Sequence, residues 1–204
     1  MKSPEAPSGT EVYLFDLDGT DRSYRLSNPL NISNNAGYDN QPSFSSDGSF
    51  LLFASTRNGQ TDIRKYELET ASYTWLTNTR GSEYSPTLMP DGKHFSAINL
   101  KPDGEQLLWK YAMDKSNEPE LLIPELKIGY HAWFNADTLI SFVLGDSLKP
   151  ATLQLNDLIN EENSELAINP GRSLHKIPIS ERFPHHMAYL AKTTDELWII
   201  SALN

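Results

Sequence analysis

A repeat of about 44 residues constrains the fold of this chain more than any other feature. The segment "QPSFSSDGSFLLFAST" (residues 41–56) recurs as "SPTLMPDGKHFSAINL" (residues 85–100). Alignment on the turn acids gives spacings of 44, 46 and 44 residues between Asp47, Asp91, Asp137 and Glu181. Because self-similarity at a fixed period is the signature of repeat architectures, we expect a stack of similar units.

Within each repeat the sequence predicts β-strands rather than helices. Short apolar stretches, rich in aromatic and β-branched side chains, alternate with turn residues. The pairs Asp47-Gly48 and Asn58-Gly59 suit the positive φ angles of tight hairpin turns. The one stretch with helical spacing, residues 155–163, is predicted to be a strand end followed by a polar loop. Four antiparallel strands in about 44 residues match one blade of a β-propeller.

The predicted fold is therefore all-β, a β-propeller of four-stranded antiparallel blades, present as a partial propeller of four to five blades. A disordered tail (residues 1–10) precedes blade segments at about residues 11–37, 38–80, 81–126, 127–170 and 171–204. The first segment matches only the third and fourth strands of a blade, and the last stops at a third strand. We favour a fragment of a six- or seven-bladed protein over a closed ring of about five blades. Because an open sector exposes apolar faces, we also expect such a fragment to be less soluble or to self-associate.

The clearest copy of the repeat, at residues 41–63, resembles the repeat of a known family. The run "xxPxxSxDGxxLxFxSxRxGxxDI" at residues 41–63, followed by "LTN" and then by "SPTLMPDGK", is similar to the repeat of TolB-like β-propellers, which are WD-like repeat proteins. The resemblance implies a bacterial, noncatalytic binding scaffold for a protein or peptide. It also implies a periplasmic or extracellular location.

Composition excludes several other classes of protein. The chain carries 17 Lys and Arg against 27 Asp and Glu, a net charge of −10, so nucleic acid is repelled. No apolar run reaches the roughly 18 residues that span a bilayer. The absence of cysteine excludes disulfides and thiolate metal sites. The first ten residues lack the apolar core of a signal peptide.

The segment "YLFDLDGT" (residues 13–20) resembles the catalytic motif of haloacid dehalogenase-like phosphatases. Such a phosphatase needs alternating strands and helices, and the sequence shows no such alternation. In the repeat register, "DLDGT" instead falls on the turn between two outer strands. We therefore expect its aspartates to be exposed to solvent and Asp16 to be dispensable for folding.

A predicted ligand site lies six residues before each turn acid. Equivalent positions at the entry to the innermost strands form a ring around the central channel of a propeller, so their side chains can converge on one ligand. The residues at these positions are Gln41, Ser85, His131 and His175. Tyr84, Tyr130, Glu83 and Arg172 are close by in sequence and could complete a polar, aromatic mouth for a peptide or sugar. Ordinary loop packing explains the same residues equally well.

The two histidines leave an alternative function open. His131 and His175 could hold a divalent metal, and oligogalacturonate lyases, whose repeats are similar, place a His- and Gln-bound metal in the channel. A metal-dependent enzyme of this kind would use a histidine as its general base. The other interpretation is that both histidines hydrogen-bond locally. We favour the noncatalytic scaffold, which needs no cofactor.

Overall fold

A computed structural model of the chain describes residues 9–20, 23–177, 187–192 and 198–203. In these ranges every regular element is a β-strand, and there is no helix that could cross a membrane. The strands are β1 Tyr13–Thr20, β2 Ser23–Asn31, β3 Asp39–Phe44, β4 Phe50–Arg57, β5 Gln60–Glu67, β6 Ser72–Trp75, β7 Ser82–Leu88, β8 His94–Leu100, β9 Gln106–Ala112, β10 Glu120–Ile123, β11 Ile128–Trp133, β12 Thr138–Val143, β13 Thr152–Asp157, β14 Glu162–Ile168, β15 Leu174–Lys176, β16 Met187–Lys192 and β17 Trp198–Leu203.

The strands form sheets in which sequence neighbours pair. Three sheets have four strands each, in the orders β3-β4-β5-β6, β7-β8-β9-β10 and β11-β12-β13-β14. Strands β1 and β2 form a two-stranded sheet, and β15, β16 and β17 a three-stranded one. The predicted four-stranded antiparallel repeat is therefore confirmed. The predicted strand end and loop at residues 155–163 are confirmed too, because β13 ends at Asp157 and β14 begins at Glu162.

The chain divides into two compact units, residues 1–86 and 87–204, with the boundary inside β7. In unit 1 one buried cluster joins Val12, which directly precedes β1, to Leu51, Phe53 and Tyr66 of the β3–β6 sheet. In unit 2 a second cluster joins β11–β14 to β15–β16, through residues such as Phe142 and Met187. Adjacent sheets within each unit therefore cover one another's apolar faces.

The turns confirm the role predicted for the Asp-Gly pairs. Gly48 has a φ of 70° and Gly92 a φ of 67°, the left-handed region that favours glycine. The Oδ1 atom of Asp47 accepts hydrogen bonds from the Ser49 backbone N–H at 3.0 Å and from the Ser45 hydroxyl at 2.7 Å. The hydrogen bonds from Ser49 contribute most to lowering the pKa of Asp47 to about 2. The fourth turn acid, Glu181, lies outside the described residues.

The signature residues of the best repeat form a polar network in unit 1. The carboxylate of Asp62 is buried, and it accepts from the Arg57 Nε at 3.2 Å and from the Thr77 hydroxyl at 3.2 Å. The Arg57 guanidinium also donates to Asn78 at 3.1 Å and lies 4.3 Å from the centre of the Trp75 ring. The network therefore ties the β4–β5 hairpin to the "LTN" segment that follows β6.

The segment "DLDGT" (residues 16–20) is part of a strand, so the predicted turn at these residues is wrong. Strand β1 continues to Thr20, which pairs with Ser23 of β2. Gly19 lies opposite Tyr24, and a Cβ on Gly19 would lie 2.8 Å from a Tyr24 ring atom. A Cβ there would also clash with the Ser23 carbonyl oxygen, so glycine allows β1 and β2 to approach closely where the turn was expected.

The two aspartates of this segment are exposed, as predicted. Asp16 accepts a hydrogen bond from the Asn28 side-chain amide at 2.8 Å. Asp18 accepts one from the Ser27 hydroxyl at 2.6 Å. Both carboxylates thus make cross-strand contacts at the protein surface.

We expect Asp62→Ala to lower the free energy of unfolding by about 2–3 kcal/mol, because the buried Thr77 hydroxyl and the Arg57 guanidinium lose their common acceptor. Urea denaturation at neutral pH measures the change. The exposed Asp16→Asn is the matched control, and its effect should stay within about 0.5 kcal/mol. Equal effects of the two substitutions would show that the Asp62 network does not stabilise the fold.

Candidate functional site at the strand entries

The predicted site residues lie within or just before β3, β7, β11 and β15, the first strands of the four sheets that follow the β1–β2 sheet, and we call this set the strand entries. In unit 1 two of them are joined, because the Ser85 backbone N–H donates to Gln41 Oε1 at 2.8 Å. Gln41 and Ser85 both have left-handed backbones, with φ of 56° and 52°. Such values are uncommon for residues with a side chain and persist only where the surroundings enforce them. The same kink thus recurs at the same repeat position, fixed in part by a hydrogen bond between successive entries.

Two tyrosines lie beside this kink. The rings of Tyr38 and Tyr84 meet edge to face, with their centres 6.0 Å apart and their planes inclined by 69°. Both side chains are half-buried, so each ring retains solvent-accessible surface. Sequence reasoning selected Tyr84 but missed Tyr38. An edge-to-face pair of this kind holds an aromatic surface in one orientation.

Two buried acids, Asp39 in β3 and Glu83 in β7, are 44 residues apart in sequence. Asp39 accepts from the Ser55 hydroxyl at 2.5 Å and from the Asn35 amide at 3.0 Å, and burial raises the pKa of its carboxyl. Glu83 accepts from the Thr79 hydroxyl at 2.5 Å. Sequence reasoning noted Glu83 but missed Asp39, although the repeat period relates them. Because both acids are below 2% exposed, they position the loops rather than contact a ligand.

In unit 2, His131 points into the protein. Its Nε2 atom lies 2.6 Å from the Ser96 hydroxyl, which also accepts from the Trp133 indole N–H at 2.8 Å. Its Nδ1 atom is buried and makes no hydrogen bond with the described part of the chain. Burial lowers the pKa of His131 to about 3. The imidazole is therefore neutral at neutral pH, and it links β11 to β8.

The remaining predicted residues of unit 2 are more accessible. The Arg172 guanidinium carbon lies 5.9 Å from the centre of the Tyr130 ring, within the range of a cation–π contact. Tyr130 is half-buried and packs edge-on against Phe142, with ring centres 5.9 Å apart. His175 is exposed, and its Nε2 atom lies 2.7 Å from the Ser173 hydroxyl. Tyr130 and Arg172 are thus in contact with each other, and no interaction joins either of them to His175 in the described part of the chain.

The geometry bears on the predicted metal site. One nitrogen of His131 is engaged by Ser96, whereas His175 is exposed and engaged by Ser173. Among the residues that the structure describes, no group of three or more His, Cys, Asp or Glu could hold a metal ion. The other side chains of the strand entries, Tyr84, Tyr130 and Arg172, are aromatic or polar.

The neutral state of His131 predicts a pH dependence of stability. A histidine with a pKa lowered in the folded state binds its proton more readily when unfolded, so stability falls as pH falls from about 6.5 towards 3. We expect the free energy of unfolding to drop by roughly 2 kcal/mol more between pH 6.5 and 5 in the native chain than in His131→Gln. Urea denaturation at both pH values measures this difference.

The matched control is His175→Gln, which removes an exposed histidine. Its pH dependence should follow that of the native chain. If His131→Gln also follows the native chain, the imidazole is not held neutral in the fold.

Comparison with known proteins shows which proteins the chain is similar to. No protein-family model matches the chain. Over 99 residues, 47% of the chain, it is 36% identical to the Tol-Pal system protein TolB of Francisella tularensis. That match covers 21% of the relative, so the chain spans about a fifth of the length of the curated proteins it matches.

Solved structures share the fold. A putative TolB from Agrobacterium tumefaciens has a TM-score of 0.62 at 17% identity, over 79% of this chain and 62% of that one. TolB from Acinetobacter baumannii has a TM-score of 0.61 at 15% identity, over 93% and 51%. A chain of a nidogen/laminin complex has a TM-score of 0.66 at 12% identity, over 96% and 74%. The predicted TolB-like β-propeller, present in part, is thereby confirmed.

Proposed function

We propose that this chain is part of a noncatalytic, extracytoplasmic propeller that binds a protein partner through its strand entries. The observation that carries the proposal is the presence of half-buried tyrosines at equivalent entries, Tyr84 beside Tyr38 and Tyr130 beside Arg172. Tyrosine and arginine are the side chains that most often dominate the energy of protein–protein binding. The location outside the cytoplasm is inferred from the resemblance to TolB.

The entries are suited to binding because they are rigid before a partner arrives. The Gln41 side chain holds the Ser85 backbone, and the buried Asp39 and Glu83 hold the loops that precede β3 and β7. Ordering loops and side chains on association costs free energy, so a surface already fixed in one conformation binds more tightly. The repeated left-handed kinks at Gln41 and Ser85 support a binding role, since strained backbones concentrate at such sites.

The similarity to a Tol-Pal system protein suggests the class of partner. We propose that the partner is another protein of the Tol-Pal system in the same organism. The net charge of −10 favours a partner surface with exposed Lys and Arg, because complementary charge speeds encounter.

Binding of purified Tol-Pal proteins from the same organism, measured by biolayer interferometry, tests this proposal. We expect one of them to bind, and we expect Tyr84→Ala and Tyr130→Ala each to weaken its binding by about tenfold or more, since each removes an aromatic anchor. The control is Ile159→Ala, which truncates a side chain that is 71% exposed and lies in the turn after β13, at the opposite end of the sheet from the start of β11. A partner that binds both tyrosine variants as tightly as the control would overturn the proposed site.

Metal analysis of the same protein preparation distinguishes the noncatalytic scaffold from the metal-dependent enzyme. We propose that the chain needs no cofactor, so elemental analysis of protein purified without chelator should find no stoichiometric divalent metal. A bound metal that is lost in both His131→Gln and His175→Gln would favour the enzyme instead.

A further inference from the structure

The loop between β12 and β13 lies at the same end of its sheet as the start of β11. Strand β12 runs antiparallel to β11, and its last residue, Val143, pairs with the first residue of β11. The backbone N–H of Leu144 then donates to the Lys127 carbonyl oxygen at 2.9 Å. The loop, residues 144–151, therefore leaves the sheet beside the start of β11, where Tyr130 of the proposed binding site lies.

This loop differs from its counterparts in the two preceding sheets. The β4–β5 loop consists of residues 58–59 and the β8–β9 loop of residues 101–105, and neither contains a large apolar side chain. The β12–β13 loop carries Leu148, which at 90% is the most exposed large apolar side chain in the described part of the chain. The longer loop thus presents an apolar side chain where the other two sheets have only a short turn.

Local hydrogen bonds hold the backbone around Leu148 in one conformation. Asp146 Oδ1 accepts from the backbone N–H groups of Leu148 at 2.7 Å and Lys149 at 2.9 Å. These two bonds lower the pKa of the Asp146 carboxyl, so it is ionised at neutral pH. The Asp146 backbone N–H in turn donates to the Lys149 carbonyl oxygen at 2.9 Å. The turn therefore holds Leu148 out in solvent rather than folded onto the protein.

A second exposed apolar side chain lies at the base of the loop. Ile168, the last residue of β14, is 62% exposed and pairs with Thr152, the first residue after the loop. The Asn169 backbone N–H donates to the Ala151 carbonyl oxygen at 2.8 Å, which joins the end of β14 to the loop. Leu148 and Ile168 thus lie at the same end of the β11–β14 sheet.

This sheet lies between two others in the chain. Its first strand, β11, contacts β8 and β9 of the preceding sheet and β15 of the following sheet. The loop projects from the end of the sheet, whereas neighbouring sheets cover its faces. The exposure of Leu148 is therefore a property of the loop and not that of an uncovered sheet face.

We propose that the β12–β13 loop is a second contact element of the proposed binding site, and that Leu148 enters an apolar pocket on the protein partner. The inference rests on the proposed function, because Tyr130 and Arg172 lie on the same sheet end or beside it. Removing a leucine side chain from water is favourable, and the hydrogen-bonded turn needs no ordering when the partner binds. The loop therefore adds affinity to the contacts made by the tyrosines.

The charge of the chain favours a protein over a lipid surface as the occupant. A chain with a net charge of −10 is repelled by an anionic bilayer. Within the loop, the single cation Lys149 is balanced by Asp146. Two exposed apolar side chains without a basic cluster make a weak membrane anchor, whereas a protein pocket can enclose a single leucine.

Biolayer interferometry with the purified Tol-Pal proteins of the same organism tests the role of Leu148. We expect Leu148→Ala to weaken binding of the partner by about tenfold, and Leu148→Asp to weaken it further, because a carboxylate is costly to bury. Leu148→Met keeps an apolar side chain of similar volume and should stay within about threefold of the native chain. Ile159→Ala, at the opposite end of the sheet, is the matched control and should bind as the native chain does. Circular dichroism establishes that each variant is folded.

A variant of Asp146 tests whether the loop is held ready for the partner. Asp146→Ala removes the acceptor of two backbone N–H groups and leaves Leu148 in place. We expect binding to weaken by about threefold, and the amide hydrogens of Leu148 and Lys149 to exchange faster in the unbound variant than in the unbound native chain. Unchanged exchange would show that Asp146 does not order the loop.

A cysteine variant tests direct contact. The chain has no cysteine of its own, so Leu148→Cys introduces a single thiol that can carry an environment-sensitive fluorescent dye. The partner should shift the emission of this dye to shorter wavelength, as expected when the dye leaves water. The same dye on Ile159→Cys should not respond.

Three results would overturn the role of the loop. The first is binding that Tyr84→Ala and Tyr130→Ala weaken but Leu148→Asp does not, which would leave the proposed function intact. The second is a native chain that binds none of the Tol-Pal proteins, which would contradict the proposed function as well. The third is sedimentation of the native chain with vesicles of phosphatidylethanolamine and phosphatidylglycerol that is lost in Leu148→Asp. Lipid, and not a protein, would then be the occupant.

Discussion

Face-to-face packing of neighbouring sheets is the interaction on which the rest of this structure depends. A sheet of this chain has apolar side chains on both faces, as in β4, where Leu51, Leu52, Phe53 and Ala54 are all almost fully buried. A single four-stranded sheet cannot bury both faces by itself, so each sheet is stable only with its neighbours in place. Turn chemistry, polar networks and strand entries are all positioned by that stacking.

The packing also explains where polar groups are found inside the protein. Buried polar groups need hydrogen-bond partners, and here the partners come from residues separated in sequence. Asp62 is satisfied by Arg57 and Thr77, and His131 is held by Ser96. These contacts fix the edges of the sheets and leave the tyrosines of the strand entries accessible.

Local features of this fold could be predicted from the sequence. The repeat period is visible directly in the sequence. The Asp-Gly turns follow from short-range rules, because Gly48 and Gly92 adopt a backbone conformation that other residues avoid. The same register failed at residues 16–20, where the ring of Tyr24 crosses Gly19 and the strand continues. That contact joins residues of two strands, and the turn rules do not include it.

The candidate site was harder to predict than the fold. The repeat register identified Gln41 and Ser85 as equivalent, and the structure joins them by a hydrogen bond. The register could not show that His131 points inward, since its partner Ser96 comes from a strand 35 residues earlier. Side-chain direction at the strand entries depends on such distant partners.

The most direct test of this account is a nuclear Overhauser experiment on the packing between sheets in unit 1. The methyl groups of Ile32, which directly follows β2, and the ring protons of Phe53 on β4 belong to the same buried cluster. We expect cross-peaks between the Ile32 methyls and the aromatic rings of Phe53 or Tyr66. Cross-peaks from Ile32 only to residues of its own hairpin would contradict the face-to-face packing.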